Sequence, residues 1–284
     1  MTSPRVWQCS RFSVALSVPK VMGIVNVTPD SFSDGGEHAD AAAAMRHCEQ
    51  LLKDGAEILD LGAESSRPGA APLPARQEME RLLPLVRDAV KLGVPISVDT
   101  YKAEVMQAVL DLGADIVNDI WALRQPGALH AIAAHPNCGV CLMHMHRDPQ
   151  TMQIEPMGAE DAVAQVVAFL RGRALALATA GVQHNRVLLD PGIGFGKTPA
   201  QNIRLLACQR DLLALGYPLL VGWSRKGSLG AITGLAVGHR QGASVAAALL
   251  AVQRGASVVR VHDVQATVAA LKILQAVDAA GAHA

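Results

Sequence analysis

The stretch Gly55–Glu64 reads GAEILDLGAE: a glycine, a short apolar run, and a polar residue where the run ends. The pattern of a run closing on a polar side chain returns along the chain. Apolar runs cover Val21–Val27, Ile58–Glu64, Pro95–Thr100, Ile116–Ile120, Val140–Met145, Val187–Asp190, Leu219–Ser224 and Val258–His262. At or near their ends stand Asn26, Glu64, Asp99, Asn118, His144, Asp190, Ser224, Arg260 and His262, polar groups that a core does not need. Alanine-rich amphipathic segments separate most of the runs. Gly55, Gly93, Gly113, Gly181, Gly216 and Gly255 each follow a helical stretch and precede a run, where glycine ends a helix cheaply. Strand–helix units repeated in this way predict an α/β fold, a (β/α)8 TIM barrel. Its active site is built by the loops after the strands, so the polar run ends are expected to converge on one mouth. Helices are expected at roughly 38–54, 75–92, 101–113, 125–135, 158–181, 199–216, 240–254 and 264–280. Residues 5–19 alternate weakly and predict a short N-terminal hairpin plugging the barrel bottom.

At 284 residues the chain fits one barrel domain over 1–284 and does not require two. A formal net charge of +0 provides no global field for nucleic acid or an anionic membrane. The first twenty residues contain no apolar signal-like core, and no run approaches eighteen apolar residues. The expectation is a soluble, cytoplasmic protein. The five cysteines form no regular framework, which suits a reducing compartment. Cys138 and Cys141 make one CxxC, read as two small apolar residues entering a strand, not as a redox pair or half a zinc site.

The expected mouth carries both signs of charge. Glu64, Asp99 and Asp190 are carboxylates; Arg67, Lys197, Arg225, Lys226, Arg260 and His262 are basic. Singly, each reads as a solvated rim charge; jointly they fit a ligand that is anionic at one end and rich in hydrogen-bonding groups at the other. A carboxylate accepts two bonds from adjacent N–H donors of a heterocycle. Arg and His beside loop amides suit phosphate or diphosphate. Asn26 offers a neutral oxygen to Mg2+. The connections Thr28–His38 and Ser65–Pro74 are long and rich in Gly, Pro, Ser and Asp, and read as lids over the mouth. The run GIGFGKT (Gly192–Thr198) is not a P-loop, because Pro191 stands where that motif needs glycine. It follows a strand, so a backbone loop approached closely by a ligand is expected. Phe32, Tyr101, Trp121, Phe195 and Trp223 fall at or just beyond strand ends, which suits stacking on a flat ring. His144 and His146 share a strand face without an evident third ligand, and are not read as a metal site.

These motifs resemble those of the dihydropteroate synthases, pterin-binding (β/α)8 barrels of folate biosynthesis. The likeness runs from about residue 20 to 265. It rests on VMGIVNVTPDSFSDGG (21–36), GAESSRPG (62–69), SVDTYK (97–102), VNDI (117–120), LMHM (142–145), LDPGIGFGK (189–197), VGWSRKG (221–227) and RVHDV (260–264). The resemblance implies a transferase, the sulfonamide target, that joins 6-hydroxymethyl-7,8-dihydropterin diphosphate to p-aminobenzoate. It implies that Asp99, Asn118, Asp190 and Lys226 clamp the pterin, with Met143 as an apolar wall and Arg260 stacked on the ring. Asn26, Arg260 and His262 are implied for diphosphate and Mg2+. Phe195, Arg67, Pro68 and Ser224 are implied around p-aminobenzoate, with Ser66 at the boundary. Asp34 on the first loop is implied as the second carboxylate, near the attacking amine. Ala63, Ser66, His146 and Gly227 depart from the usual pattern, and Gly227 removes a hydroxyl near the p-aminobenzoate end. A methyltetrahydrofolate-dependent methyltransferase shares the clamp but lacks SSRPG and SRKG; a pterin-binding paralogue without synthase activity would not need the intact first loop, Lys226 and Arg260. By family analogy a homodimer forms through the late helices, where Val245–Val252 and Val268–Ile273 are more apolar than one helix face requires.

Overall fold

The computed structural model describes residues 6–27, 37–65, 69–158 and 161–281. It opens with an antiparallel hairpin, β1 (Val6–Cys9) and β2 (Phe12–Ala15). Eight parallel strands follow: β3 (Lys20–Asn26), β4 (Ile58–Gly62), β5 (Ile96–Asp99), β6 (Ile116–Asp119), β7 (Gly139–Met143), β8 (Val187–Asp190), β9 (Leu220–Val221) and β10 (Val258–Val261). The helices are α1 (Glu37–Lys53), α2 (Ala75–Ala89), α3 (Ala103–Asp111), α4 (Ala128–Ala134), α5 (Ala162–Thr179), α6 (Pro199–Ala207), α7 (Gln209–Leu213), α8 (Gly227–Thr233), α9 (Gln241–Gln253) and α10 (Val264–Gly281). The sheet order is β8-β7-β6-β5-β4-β3-β10-β9. A parallel bridge between Leu189 and Leu219, with Leu189 N donating to Pro218 O at 3.1 Å, brings the two edges together and all but closes the barrel.

Successive strand residues point to opposite faces. One set, including Leu59, Leu61, Val98, Leu142, Leu189, Val259 and Val261, packs outward on the helices in two buried clusters. The other set points inward. Its lower layer is apolar: Met22, Ile58, Ile116, Cys141, Leu188, Leu220 and Val258 form one cluster with Trp7, Cys9 and Leu16 of the hairpin and the residue following it. The hairpin therefore plugs the bottom as expected, and Trp7 Nε1 is bonded to Arg186 O at 2.9 Å. Two residues further along the same inward faces stand Asp60, Asn118, Met143, Asp190 and Arg260. A polar storey is thereby built on an apolar floor.

Three elements differ from expectation. The single helix expected after Pro199 is interrupted at Cys208 into α6 and α7, where Gln209 Nε2 reaches across to Ala251 O at 2.8 Å. Helix α8 was not expected, because Gly227 and Gly230 give GSLGAIT poor intrinsic propensity; burial of Leu229 and Ser228 supports it instead. Strand β9 has only two residues, since the chain turns at Trp223–Lys226. Helix α5 is long and apolar enough to cross a bilayer by length and composition. Here it lies along the barrel, with Val163, Val166, Leu170, Ala174 and Leu177 on the shared core. Cys138 and Cys141 are buried thiols with no disulfide.

Candidate active site

The centre of the mouth is a charge network across four strands. Arg260 on β10 donates from Nε to Asp60 Oδ2 at 2.5 Å and from Nη2 to Asp99 Oδ2 at 3.0 Å. Asp60 also accepts from Ser97 Oγ at 2.5 Å and Asn118 Nδ2 at 3.2 Å, and it is completely buried. Burial disfavours the guanidinium, but Asp60 and Asp99 outweigh it and hold its charge firmly. Burial lifts the Asp99 carboxyl above the ordinary range; Arg260 opposes the rise and Asp60 adds to it.

Asp190, at the end of β8, accepts from Gly192 N at 2.7 Å through Oδ1. Burial raises its pKa against that bond and against Lys226. The Lys226 ammonium lies 4.2 Å from the centroid of the Phe195 ring. Burial, then Arg260, pushes this lysine down to about 8, while Asp190 and Asp99 work the other way. Met143 and Phe195 belong to one apolar cluster with Ile120, Met145 and Met152, flanked by Tyr101 and Trp121. Ser224 Oγ lies 2.9 Å from His262 Nδ1 and accepts from His262 N at 3.1 Å. Burial and the neighbouring Arg225 and Arg260 hold His262 down to about 3, so its imidazole is neutral at physiological pH. Asn26 is exposed at the end of β3, paired in register with Gly62.

The expected residues Asp99, Asn118, Met143, Asp190, Phe195, Ser224, Lys226, Arg260, His262 and Asn26 thus all lie on the strand-end face or the loops that follow it. Asp34, Ser66, Arg67 and Pro68 lie outside the described residues, as do residues 28–36 of the first loop and Phe32. Three other expectations are corrected. Lys197 does not face the mouth as a free cation: it is buried beneath the β8 loop, bonded to backbone carbonyls. Arg225 is turned to Asp263, which it engages through both side-chain oxygens. Trp223 is buried in the barrel-wall cluster, because it is the outward neighbour of Ser224.

Sequence reading missed Asp60 and a second cluster. Lys102, just before α3, is ion-paired to Glu64 at the end of the second barrel strand and to Glu78 in the first turn of α2. Tyr101 Oη donates to Glu64 Oε1 at 2.8 Å. Glu64, Glu78, Asp99, Thr100, Tyr101 and Ile120 line one small cavity, so this cluster backs directly onto Asp99. Asp60 was detectable: it shares the parity of Glu64 inside an otherwise apolar run.

No group of three or more His, Cys, Asp or Glu side chains suited to a metal occurs among the described residues. Asp60 and Asp99 are held by Arg260, and Asp190 by Gly192. Asn26, exposed at the end of β3, offers a neutral oxygen of the kind a Mg2+ takes when water and phosphate oxygens supply its other ligands.

The strand-end face carries carboxylates, an aromatic–aliphatic wall and the cations Lys226 and Arg260, which defines a class of barrel that binds a polar ring at its strand ends. A family described as "Pterin binding enzyme" matches residues 22–262. The dihydropteroate synthase of Neisseria meningitidis serogroup C is 49% identical over 278 residues, covering 95% of this chain and 97% of that one. The solved dihydropteroate synthase of Xanthomonas albilineans with 4-aminobenzoic acid superposes with a TM-score of 0.91 at 48% identity, covering 98% of this chain and 99% of that one. That of Burkholderia cenocepacia complexed with 7,8-dihydropteroate gives 0.90 at 46% identity, covering 99% of each. The chain belongs to the pterin-binding enzyme family and, within it, to the dihydropteroate synthases.

Proposed function

We infer that this barrel joins 6-hydroxymethyl-7,8-dihydropterin diphosphate to p-aminobenzoate, giving 7,8-dihydropteroate and diphosphate. The observation that carries the reading is the inward polar storey of Asp60, Asp99, Asn118, Asp190 and Arg260, together with relatives solved with 4-aminobenzoic acid and with 7,8-dihydropteroate.

Asp99, Asn118, Asp190 and Lys226 bind the pterin by its hydrogen-bonding edge, with Met143 against one side. Arg260, fixed by two carboxylates, offers its guanidinium face to the ring. The carbon–oxygen bond of the hydroxymethyl group breaks, and diphosphate leaves with the electron pair. The methylene cation is delocalised into the pterin, where Asp99 and Asp190 are nearest in charge. The amine of p-aminobenzoate then forms the carbon–nitrogen bond and loses a proton. Asp34 acts at that amine. Phe195, Ser66, Arg67, Pro68 and Ser224 surround the p-aminobenzoate ring. Asn26, Arg260 and His262 receive the diphosphate, the neutral imidazole donating or accepting a bond without adding charge. Asn26 would hold a Mg2+ there, which would supply charge neutralisation for the diphosphate.

A homodimer is part of the proposal. Leu250 on α9 and Ile273 and Val277 on α10 are exposed large apolar side chains on the late helices, which supports an interface there. A cytoplasmic setting is proposed from composition alone. Diphosphate release measured with and without p-aminobenzoate tests the function. Release that depends on p-aminobenzoate and matches dihydropteroate formed is expected. Pterin binding without release points to a paralogue lacking synthase activity, and methyl transfer from methyltetrahydrofolate to a corrinoid points to the methyltransferase.

A further inference from the structure

Lys197 is only 2% exposed, and its Nζ donates to three backbone carbonyls: Gly192 O at 2.8 Å, Phe195 O at 3.1 Å and His144 O at 3.2 Å. A neutral amine has two N–H donors and an ammonium three, so only the charged form donates to all three; Gly192 O also accepts from Phe195 N at 3.1 Å. Gly192 and Phe195 belong to the loop after β8, and His144 to the end of β7. The lysine therefore ties one strand end to the next loop. Glycine makes the approach possible. At Gly192 (φ +67°) a Cβ would lie 1.9 Å from His144 O, and at Gly196 (φ +69°) 2.7 Å from His146 Cβ and O.

The loop held in this way carries two groups of the site. Gly192 N orients the Asp190 carboxylate, and the Phe195 ring lies against the Lys226 ammonium. We propose that Lys197 is a positioning residue for both substrates: it gathers three carbonyls on one ammonium and so sets Asp190 at the pterin end and Phe195 at the p-aminobenzoate end. The names of the two substrates rest on the function inferred above; the carbonyl cluster does not. Burial pushes Lys197 down to about 7, with Asp190 opposing and Lys226 adding. Three carbonyl acceptors also favour the charged form.

The experiment compares wild type with Lys197→Met, which keeps the length and removes every donor, and Lys197→Arg, which keeps charge and donors but moves them. Calorimetry gives the Kd of pterin diphosphate, steady-state rates give the KM of p-aminobenzoate, and hydrogen exchange reports on residues 191–198. With the His144 and Phe195 carbonyls left unsatisfied and Gly192 O left with Phe195 N alone, Lys197→Met should weaken both substrates by at least roughly tenfold. Exchange should speed up over 191–198 and stay unchanged in the other strands. Lys197→Arg should shift both constants in the same direction by less than the Met variant, and it supplies the test should the Met variant not fold. Constants within twofold of wild type in a folded variant overturn the proposal. So does faster exchange spread over the whole barrel with both constants unchanged, which is the mark of a purely structural lysine. Absence of dihydropteroate from wild type in the same assay would overturn the functional reading and not this one, because loop exchange is read without substrate.

Discussion

Arg260 Nε lies 2.5 Å from Asp60 Oδ2, a pair joined across two hundred positions of sequence. Asp60 is fully buried, with Ser97 and Asn118 as its other partners, so it cannot itself meet a substrate edge-on. Its effect passes through Arg260 and Asn118. Removing its charge while keeping its shape leaves a largely buried guanidinium with one carboxylate. Asp60→Asn is expected to cost about 1–3 kcal/mol of stability and to lower kcat/KM by roughly ten- to a hundred-fold. Urea unfolding and steady-state kinetics on the same preparation check both; turnover within twofold of wild type contradicts the assigned role.

Lys226 provides the pH signature. Burial brings it down to about 8, so its charge is lost within reach of ordinary buffers. Below that pH the ammonium is present; above it the neutral amine remains. The kcat/KM for pterin diphosphate should therefore decline as pH rises through about 8 in the free enzyme. Lys226→Arg, whose charge persists, should remove the component centred near 8 even where it lowers the maximum rate, and leave any fall nearer 7 that belongs to Lys197. A wild-type profile flat up to pH 10 contradicts an essential Lys226 charge.

Lys102 draws together Glu64 and Glu78, the residues that bracket the connection carrying Ser66, Arg67 and Pro68. Lys102→Met leaves two largely buried carboxylates facing each other. It should destabilise the fold by roughly 2–4 kcal/mol, and Glu78→Gln in the same chain should restore part of that loss. Burial already raises the Glu78 pKa, so the single variant should be relatively less impaired at low pH, where Glu78 takes up a proton. A double-mutant cycle with no coupling argues against the cluster as a unit.

Much of this mouth was legible because strand alternation has a strict period. Asp99, Asn118, Asp190 and Arg260 could be placed from the ends of their apolar runs. Asp60 escaped because it stands inside its run and was read as part of the strand body. Counting back by twos from Glu64 would have placed it on the inward face. The same parity separates Ser224, which faces the mouth, from Trp223, which faces the helices. Lys197 could not be placed by pattern: a lysine after glycines reads as solvent-facing, and one of the three carbonyls that hold it, His144 O, comes from a residue brought near only by the fold. Helix α8 was hidden by its two glycines, since tertiary burial and not local propensity stabilises it.

On the proposed mechanism Asp34 separates binding from chemistry. It belongs to the first loop and not to the clamp strands. An interaction made mainly in the transition state shows in the rate and not in ground-state affinity. Asp34→Ala should lower kcat strongly while calorimetric affinity for pterin diphosphate stays nearly unchanged. Equal losses in both would move Asp34 into the pterin clamp.

The inward strand ends are proposed to bind the pterin by its edge. Equilibrium binding of pterin diphosphate to Asp190→Ala tests this most directly. Without the carboxylate, ring donors remain buried and unpaired, at a cost of roughly 2–4 kcal/mol, or about thirty- to a thousand-fold in affinity. A loss of that size in a protein that unfolds like wild type is the predicted result; affinity within threefold of wild type contradicts the account.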